Sequence, residues 1–134
     1  MNYLLDTHVA LWALAGSNKL PQKVIDILDD SNNNVYYSIV SVLEIAIKNV
    51  IKPEQMPMKE DDFEEYCNKV RYLKLPFKSS HIYEMKNLKK KSNTEHHKDP
   101  FDRLLLSQAI AENYILITHD NSIANYEVDN VMLI

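Results

Sequence analysis

The chain has 134 residues, of which 46% are hydrophobic and 25% charged, a composition typical of one soluble globular domain with a real core. Its formal net charge of −4 argues against a protein that coats nucleic acid by bulk electrostatics. The single cysteine, Cys67, excludes an intrachain disulfide, and no apolar run approaches the ~20 residues that span a bilayer. Because no basic, apolar leader opens the sequence, we expect one cytoplasmic domain over residues 1–134.

Strand-like and helix-like patterns alternate along the chain. Residues 2–6 are predicted to form a buried strand and residues 9–15 a short helix, which ends at Gly16, the only glycine. Ser41 is the expected N-cap of a helix over residues 41–50. The other predicted elements are helices over 20–30, 60–70, 79–88, 99–113 and 120–126 and strands over 35–40, 72–75, 114–117 and 131–134. The alternation predicts an α/β fold, a three-layer α/β/α sandwich whose central sheet is mostly parallel.

Four acidic residues occupy corresponding places in this predicted fold. Asp6 ends the first strand, and Asp120 follows the strand over residues 114–117. Glu44 and Asp102 are expected in the first turns of helices, where helix N-termini meet the carboxyl ends of the strands. All four side chains are therefore predicted to lie at one edge of the sheet.

Four carboxylates in one place repel one another unless a cation is bound. Mg²⁺ takes oxygen ligands and is often held by only one or two carboxylates, so this edge could hold one or two ions. Such a site would bring a phosphodiester to the metal and activate water for in-line attack. The pattern therefore predicts metal-dependent phosphodiester hydrolysis.

Each of these positions also has a purely structural interpretation. Asp99 and Asp102 flank Pro100 as an N-cap and an acidic third residue would in any helix. Asp120 could cap a short helix, and Glu44 could be an exposed helix residue paired with Lys48 four positions later. The functional prediction depends on the conjunction of the carboxylates and not on any single position.

Four blocks of the sequence carry a resemblance to a known family. They are LLDTH at 4–8, SVLEIAIK at 41–48, DPFDRLL at 99–105 and LITHD at 116–120. In order and spacing they resemble PIN-domain proteins, and they are most similar to the VapC-type toxins of bacterial toxin–antitoxin pairs. The chain departs from many relatives at Leu43, where an aromatic residue is common, and in lacking a glycine within residues 50–53.

This resemblance implies a PIN-like fold and an endoribonuclease that depends on Mg²⁺ or Mn²⁺. It implies that the catalytic residues and metal ligands are Asp6, Glu44, Asp102 and Asp120. It also implies three supporting residues, Thr7, Asp99 and Thr118. The implied partners are an RNA substrate, a cognate small antitoxin whose C-terminal segment occupies the groove, and a second copy of the chain in a homodimer.

Basic side chains precede the third block and lie close to the acidic positions. Those predicted to contact RNA are Lys89, Lys90, Lys91, Lys98, Arg103 and His119. The lysines could instead belong to a solvated loop, and the adjacent His96 and His97 are expected to be solvated or to contact RNA rather than chelate a metal. His8 and His81 are expected to be structural. Leu11 and Trp12 are expected in the core, with a dimer or antitoxin surface as the alternative.

Three other functions remain to be weighed against a toxin nuclease. A PIN ribonuclease of RNA maturation or decay would share the site, but no further RNA-binding domain is present. A PIN-like binding module without activity would not need all four acidic residues. A haloacid-dehalogenase-type phosphatase is disfavoured, because His8 stands where that class has its second aspartate.

Overall fold

A five-stranded parallel sheet forms the centre of the protein in the computed structural model, which describes residues 1–89 and 99–134. Its strands, in the spatial order β3-β2-β1-β4-β5, are β1 (Asn2–Leu5), β2 (Asn34–Ser38), β3 (Leu73–Leu75), β4 (Ile115–Thr118) and β5 (Val131–Leu133). Each neighbouring pair is parallel. The predicted α/β sandwich with a central, mostly parallel sheet is therefore confirmed.

Helices connect these strands. They are α1 (Thr7–Ala15), α2 (Gln22–Asp29), α3 (Ile39–Ile51), α4 (Glu60–Lys69), α5 (Ser79–Glu84) and α6 (Pro100–Glu112). Gly16 ends α1 in the left-handed conformation, at φ 62°, as the sequence predicted. Within the described residues, no helix combines the length and the apolar character that crossing a membrane requires.

Two predicted helix boundaries are wrong for reasons of local hydrogen bonding. The N-cap of α3 is Ser38 and not Ser41, because the Ser38 hydroxyl accepts the backbone N–H of Val40. Glu44 consequently lies in the second turn of α3. The predicted helix over residues 120–126 is only a 3₁₀ turn, Ile123–Asn125. Asp120 instead accepts the N–H of Ser122, two residues later, in an Asx-type turn.

The core lies on both faces of the sheet. Side chains of β1 alternate between them, since Leu5 packs in one cluster with Phe63 while Leu4 packs in the other with Leu105. β1 is the central strand, paired with β2 on one side and β4 on the other, and Leu4 and Leu5 are fully buried. The residue that follows β1 is therefore fixed at the middle of the sheet edge.

A buried polar network fixes the start of α3 against α6. The Ser38 hydroxyl lies 2.5 Å from Oε1 of Gln108, whose Nε2 lies 3.3 Å from Nδ1 of His81. His81 Nδ1 accepts the N–H of Lys78, so Nε2 carries the ring proton and donates to Glu112 at 2.8 Å. His81 and Gln108 are fully buried. His81 is thus structural, as predicted.

Gln108→Leu is expected to destabilise the fold by about 1–3 kcal/mol, because the buried groups of Ser38 and His81 then lose their partner. Gln22→Leu on α2 is the matched control, since Gln22 makes an exposed hydrogen bond to Asp26 at 2.8 Å and its loss should change stability by less than about 0.5 kcal/mol. Urea unfolding of both variants measures the difference. Equal stabilities would show that the network contributes nothing.

Candidate active site

A cavity of about 240 Å³ opens at the carboxyl edge of the sheet, where β1 and β4 end side by side. Five carboxyl groups, two histidines, a lysine and a threonine line it: Asp6, Thr7, His8, Glu44, Lys48, Asp99, Asp102, His119 and Asp120. The structure thus places all four carboxylates that the sequence singled out around one pocket. We call it the acidic pocket.

Asp6 is held at the base of the acidic pocket by bonds to three elements. It is 4% exposed, and its Oδ1 accepts the N–H of Val9 at 2.8 Å as the N-cap of α1. Its Oδ2 accepts the Thr118 hydroxyl and, at 3.3 Å, the N–H of His119. Burial raises the pKa of Asp6 above its ordinary value, although these hydrogen bonds and the nearby His8 act in the opposite direction. The carboxylate is therefore rigidly placed but costly to ionise.

Glu44 faces Asp6 from α3 and is only 3% exposed. Its Oε1 accepts the Thr7 hydroxyl at 2.7 Å, and Thr7 Oγ1 also lies 2.9 Å from the Ser41 hydroxyl. Its Oε2 accepts Nζ of Lys48 at 2.5 Å. The structural alternative for Glu44 is thus half right, because the ion pair with Lys48 exists but the carboxylate is buried in the pocket and not exposed.

Asp102 is also unfavourable to ionise in the acidic pocket. Burial, a hydrogen bond with Asp120, and the charges of Asp99, Asp120 and Asp6 raise the pKa of Asp102 to about 9. Asp99 caps α6 by accepting the N–H of Phe101 at 2.9 Å and also lines the pocket. Capping and pocket lining are therefore compatible at this position. The cluster is unfavourable without a neutralising cation.

Lys48 is the cation that the protein itself supplies to this pocket. Partial burial disfavours its charge, but the hydrogen bond and charge of Glu44, together with the charges of Asp99 and Asp102, raise the pKa of Lys48 above its usual value. It is therefore an ammonium at neutral pH. Among the described residues that line the pocket, one lysine opposes five carboxyl groups.

The acidic pocket suits a hard divalent cation such as Mg²⁺ or Mn²⁺, because five of its lining side chains offer carboxylate oxygens. Within residues 1–89 and 99–134, no three side chains of His, Cys, Asp or Glu are arranged so that they could together bind a metal ion. Glu44 is paired with Lys48, and Asp120 accepts both the N–H and the hydroxyl of Ser122. A cation bound at Oε2 of Glu44 would therefore take the place of the Lys48 ammonium.

The residues predicted to bind RNA are distributed unevenly around the pocket. His119 lines it, and Lys89 is exposed on the surface. Arg103 does not line the pocket. Its positive charge lowers the pKa of Tyr126, but burial of Tyr126 has the larger effect and raises that pKa. The remaining predicted contacts, and the histidine pair, lie outside the described residues: Lys90, Lys91, His96, His97 and Lys98.

Three residues of the pocket region were not predicted as part of the site: Lys48, Ser41 and His8. Lys48 was visible as the i+4 partner of Glu44, and Ser41 as a hydroxyl one turn before it. His8 was predicted to be structural, but it is exposed and lines the acidic pocket. A histidine directly after an aspartate and a threonine of the candidate site was the signal for it.

Fold and pocket together define the class of protein. The PIN domain family model matches residues 3–128, and the chain belongs to this family. PIN domains are in general nucleases. No curated protein is a significant match to the chain.

Solved structures from toxin–antitoxin pairs have the same fold. A chain of VapBC2 from Rickettsia felis, bound to a DNA fragment from its promoter, is 21% identical with a TM-score of 0.66, covering 99% of this chain and 97% of that one. A chain of VapBC-1 from nontypeable Haemophilus influenzae is 16% identical with a TM-score of 0.61 over 91% and 89%. A toxin–antitoxin complex from Klebsiella pneumoniae gives 14% identity and a TM-score of 0.59 over 97% and 95%. The similarity extends over nearly the whole chain and demonstrates the shared fold.

Proposed function

We propose that this protein is a metal-dependent endoribonuclease, the toxin of a toxin–antitoxin pair, and that it hydrolyses RNA phosphodiester bonds. The observation that carries the proposal is the acidic pocket, where five carboxyl groups and one lysine line the cavity among the residues that the structure describes. The carboxyl groups lie just after β1 and β4, on α3 and at the start of α6. An arrangement that raises the pKa of Asp102 to about 9 is a poor way to stabilise a fold. It is a reasonable way to attract a divalent cation.

In this proposal Asp6, Glu44, Asp102 and Asp120 hold Mg²⁺ or Mn²⁺ and are the catalytic residues. When bound, the cation supplies a Lewis acid for the phosphodiester and lowers the pKa of water. Thr118 holds Asp6 through its hydroxyl and accepts the N–H of Asp120 at 3.1 Å, so it aligns the two strand-end carboxylates.

The supporting residues Thr7 and Asp99 position the carboxylates and do not bind the metal ion themselves. Thr7 donates to Glu44 and keeps its Oε1 fixed while Oε2 is free to exchange Lys48 for a metal ion. Asp99 fixes the start of α6 and thereby the position of Asp102. Both roles are those of positioning residues.

The proposal includes its partners. RNA is the substrate, and the basic residues that we propose to contact its backbone are Lys89, Lys90, Lys91, Lys98, Arg103 and His119. A small cognate antitoxin is the regulatory partner, which the toxin–antitoxin complexes of the same fold support. We propose a homodimer in the cytoplasm as the working state.

Asp6→Asn is expected to reduce RNA cleavage by roughly 10³-fold, the loss that follows when several kcal/mol of transition-state stabilisation disappears. The measurement is cleavage of a mixed set of labelled RNAs by purified protein with Mg²⁺ or Mn²⁺. EDTA should abolish cleavage by the wild type, and added metal should restore it.

Circular dichroism verifies that Asp6→Asn is folded, because an asparagine side chain cannot replace both oxygens that accept from Val9, Thr118 and His119. Asparagine keeps an oxygen that can cap α1, whereas Asp6→Ala loses the cap and should also unfold more easily by about 1 kcal/mol. Asp26→Asn, at an exposed position on α2, is the control and should cleave like the wild type. Undiminished cleavage by Asp6→Asn, or cleavage that EDTA does not affect, would contradict the proposal.

A further inference from the structure

Three aromatic rings form a row at the mouth of the acidic pocket. His8 and Trp12 lie one turn apart on α1 and stack at a centroid distance of 6.5 Å and an interplanar angle of 19°. The ring of His119 meets Trp12 edge-on at 5.0 Å and 67°. His8 and His119 also line the acidic pocket. Both ends of the row, His8 and His119, therefore lie at the acidic pocket, with Trp12 between them.

A second cavity, of about 320 Å³, continues along this row. Its lining is mostly apolar and includes His8, Leu11, Trp12, Met56 and Pro57. His8 belongs to both cavities, so the apolar one opens directly beside the acidic one. The Nζ of Lys19, which also lines it, lies 5.4 Å from the centroid of the Trp12 ring. The cavity thus combines an aromatic face with a cation at its rim.

The orientation of His119 is fixed by a main-chain contact. Its Nδ1 lies 2.8 Å from the carbonyl oxygen of Ile134. A carbonyl oxygen can only accept, so Nδ1 carries the proton, and Nε2 of the neutral ring is an acceptor. The ring is therefore held against Trp12 with a defined hydrogen-bonding edge.

We propose that His8, Trp12 and His119, with the apolar cavity beside them, form a subsite for one unstacked nucleobase of the RNA strand. This inference rests on the proposed function, because the neighbouring phosphodiester then lies at the carboxylates. Single-stranded RNA is recognised by splayed bases that stack on aromatic side chains, whereas a base inside a duplex cannot enter such a cavity. The protein is therefore selective for unpaired segments of RNA.

A nucleobase fits these residues better than an aliphatic side chain of a protein partner does. The lining offers the flat indole of Trp12 and the imidazole of His8, which match a π-face, and Lys19 at the rim matches the phosphate that accompanies every base. The subsite also gives a use to Trp12, which is only partly buried although it is the largest side chain of α1.

Trp12 is the only tryptophan, so its fluorescence reports directly on this subsite. The experiment uses the Asp120→Asn variant with Mg²⁺, to prevent cleavage, and a short single-stranded RNA. Binding is expected to quench the fluorescence. An abasic nucleotide placed at each position in turn should at one position abolish the quench and weaken binding by about 5- to 100-fold. Equal quenching by every abasic oligonucleotide would overturn the proposal.

Substitutions of Trp12 distinguish stacking from simple apolar contact. Trp12→Phe should retain most of the affinity for labelled RNA, measured by fluorescence anisotropy, whereas Trp12→Leu should lose it by the same 5- to 100-fold. Circular dichroism verifies that each variant is folded. Equal affinity of the Phe and Leu variants for RNA would show that no base stacks on residue 12 and would reject the nucleobase subsite.

The outcomes also separate this inference from the proposed function. If RNA quenches Trp12 at one base position but is never cut, the subsite stands and the nuclease fails. If RNA is cut but no abasic position changes the quench or the affinity, the nuclease stands and the subsite fails. A duplex of the same sequence should not quench, and quenching by the duplex would reject selectivity for unpaired bases.

Discussion

Asp102→Asn is expected to abolish RNA cleavage and, at the same time, to stabilise the metal-free protein. Because burial and the neighbouring Asp120, Asp99 and Asp6 raise the pKa of Asp102 to about 9, folding at neutral pH must protonate this carboxyl group, and asparagine removes that cost. The gain should be about 1–2 kcal/mol, as is common when the strain of a functional site is relieved. The loss of a proposed metal ligand should reduce cleavage by roughly 10²- to 10³-fold.

The raised pKa of Asp102 also predicts how the stability of the metal-free protein changes with pH. In the unfolded chain Asp102 ionises near its ordinary value of 3.8, whereas in the folded protein its pKa is about 9. Between these values the folded state binds the extra proton, so the stability of the metal-free protein falls as pH rises. Asp102→Asn should flatten that slope. Saturating Mg²⁺ should also flatten it in the wild type, because the cation favours the ionised carboxylate.

Thermal unfolding from pH 5 to pH 9, with and without Mg²⁺, measures both effects. Asp26→Asn is again the matched control, since Asp26 is exposed on α2 and should leave the slope unchanged. A variant Asp102→Asn that is less stable than the wild type at pH 8 without metal would show that the carboxylate is neutralised within the protein. The acidic pocket would then be a structural feature and not a cation site.

Most of the correct predictions followed from the positions of the buried strands in the sequence. Leu4 and Leu5 predict a buried central strand because only a strand with both faces covered tolerates such a run, and the structure confirms this. A charge directly after such a strand can lie only at the sheet edge, so the location of Asp6 followed from the same pattern. Asp120 follows β4 in the same way, one strand further along.

Details that depend on competing hydrogen bonds could not be predicted. Ser38 and Ser41 were both able to cap α3, and the choice depends on Gln108, which lies 70 residues from Ser38 in sequence. Likewise, the spacing of Glu44 and Lys48 allowed an exposed ion pair, and only the packing of α3 on the sheet buries Glu44. Local pattern therefore located the candidate site, whereas tertiary contacts determined which partner each group has.

The ion pair of Lys48 and Glu44 is expected to control the affinity for the metal ion. Lys48→Met is expected to raise the affinity for Mg²⁺ or Mn²⁺ by roughly 10- to 100-fold, because a like charge a few Å from the cation costs a few kcal/mol near a protein surface. Without metal the variant should be less stable by about 1–2 kcal/mol, less than for a fully buried pair, since the Lys48 side chain is 36% exposed.

A matched control lies on α4. Lys69 pairs with Glu65 at the same i,i+4 spacing, at 3.4 Å, with side chains that are 64% and 61% exposed. Lys69→Met should therefore change neither the metal affinity nor the stability measurably. Calorimetric titration with Mn²⁺ and thermal unfolding compare the two variants directly. Lower metal affinity in Lys48→Met would mean that the lysine helps to organise the carboxylates for the cation. Higher affinity would mean that Lys48 occupies the position of the cation until metal displaces it from Glu44.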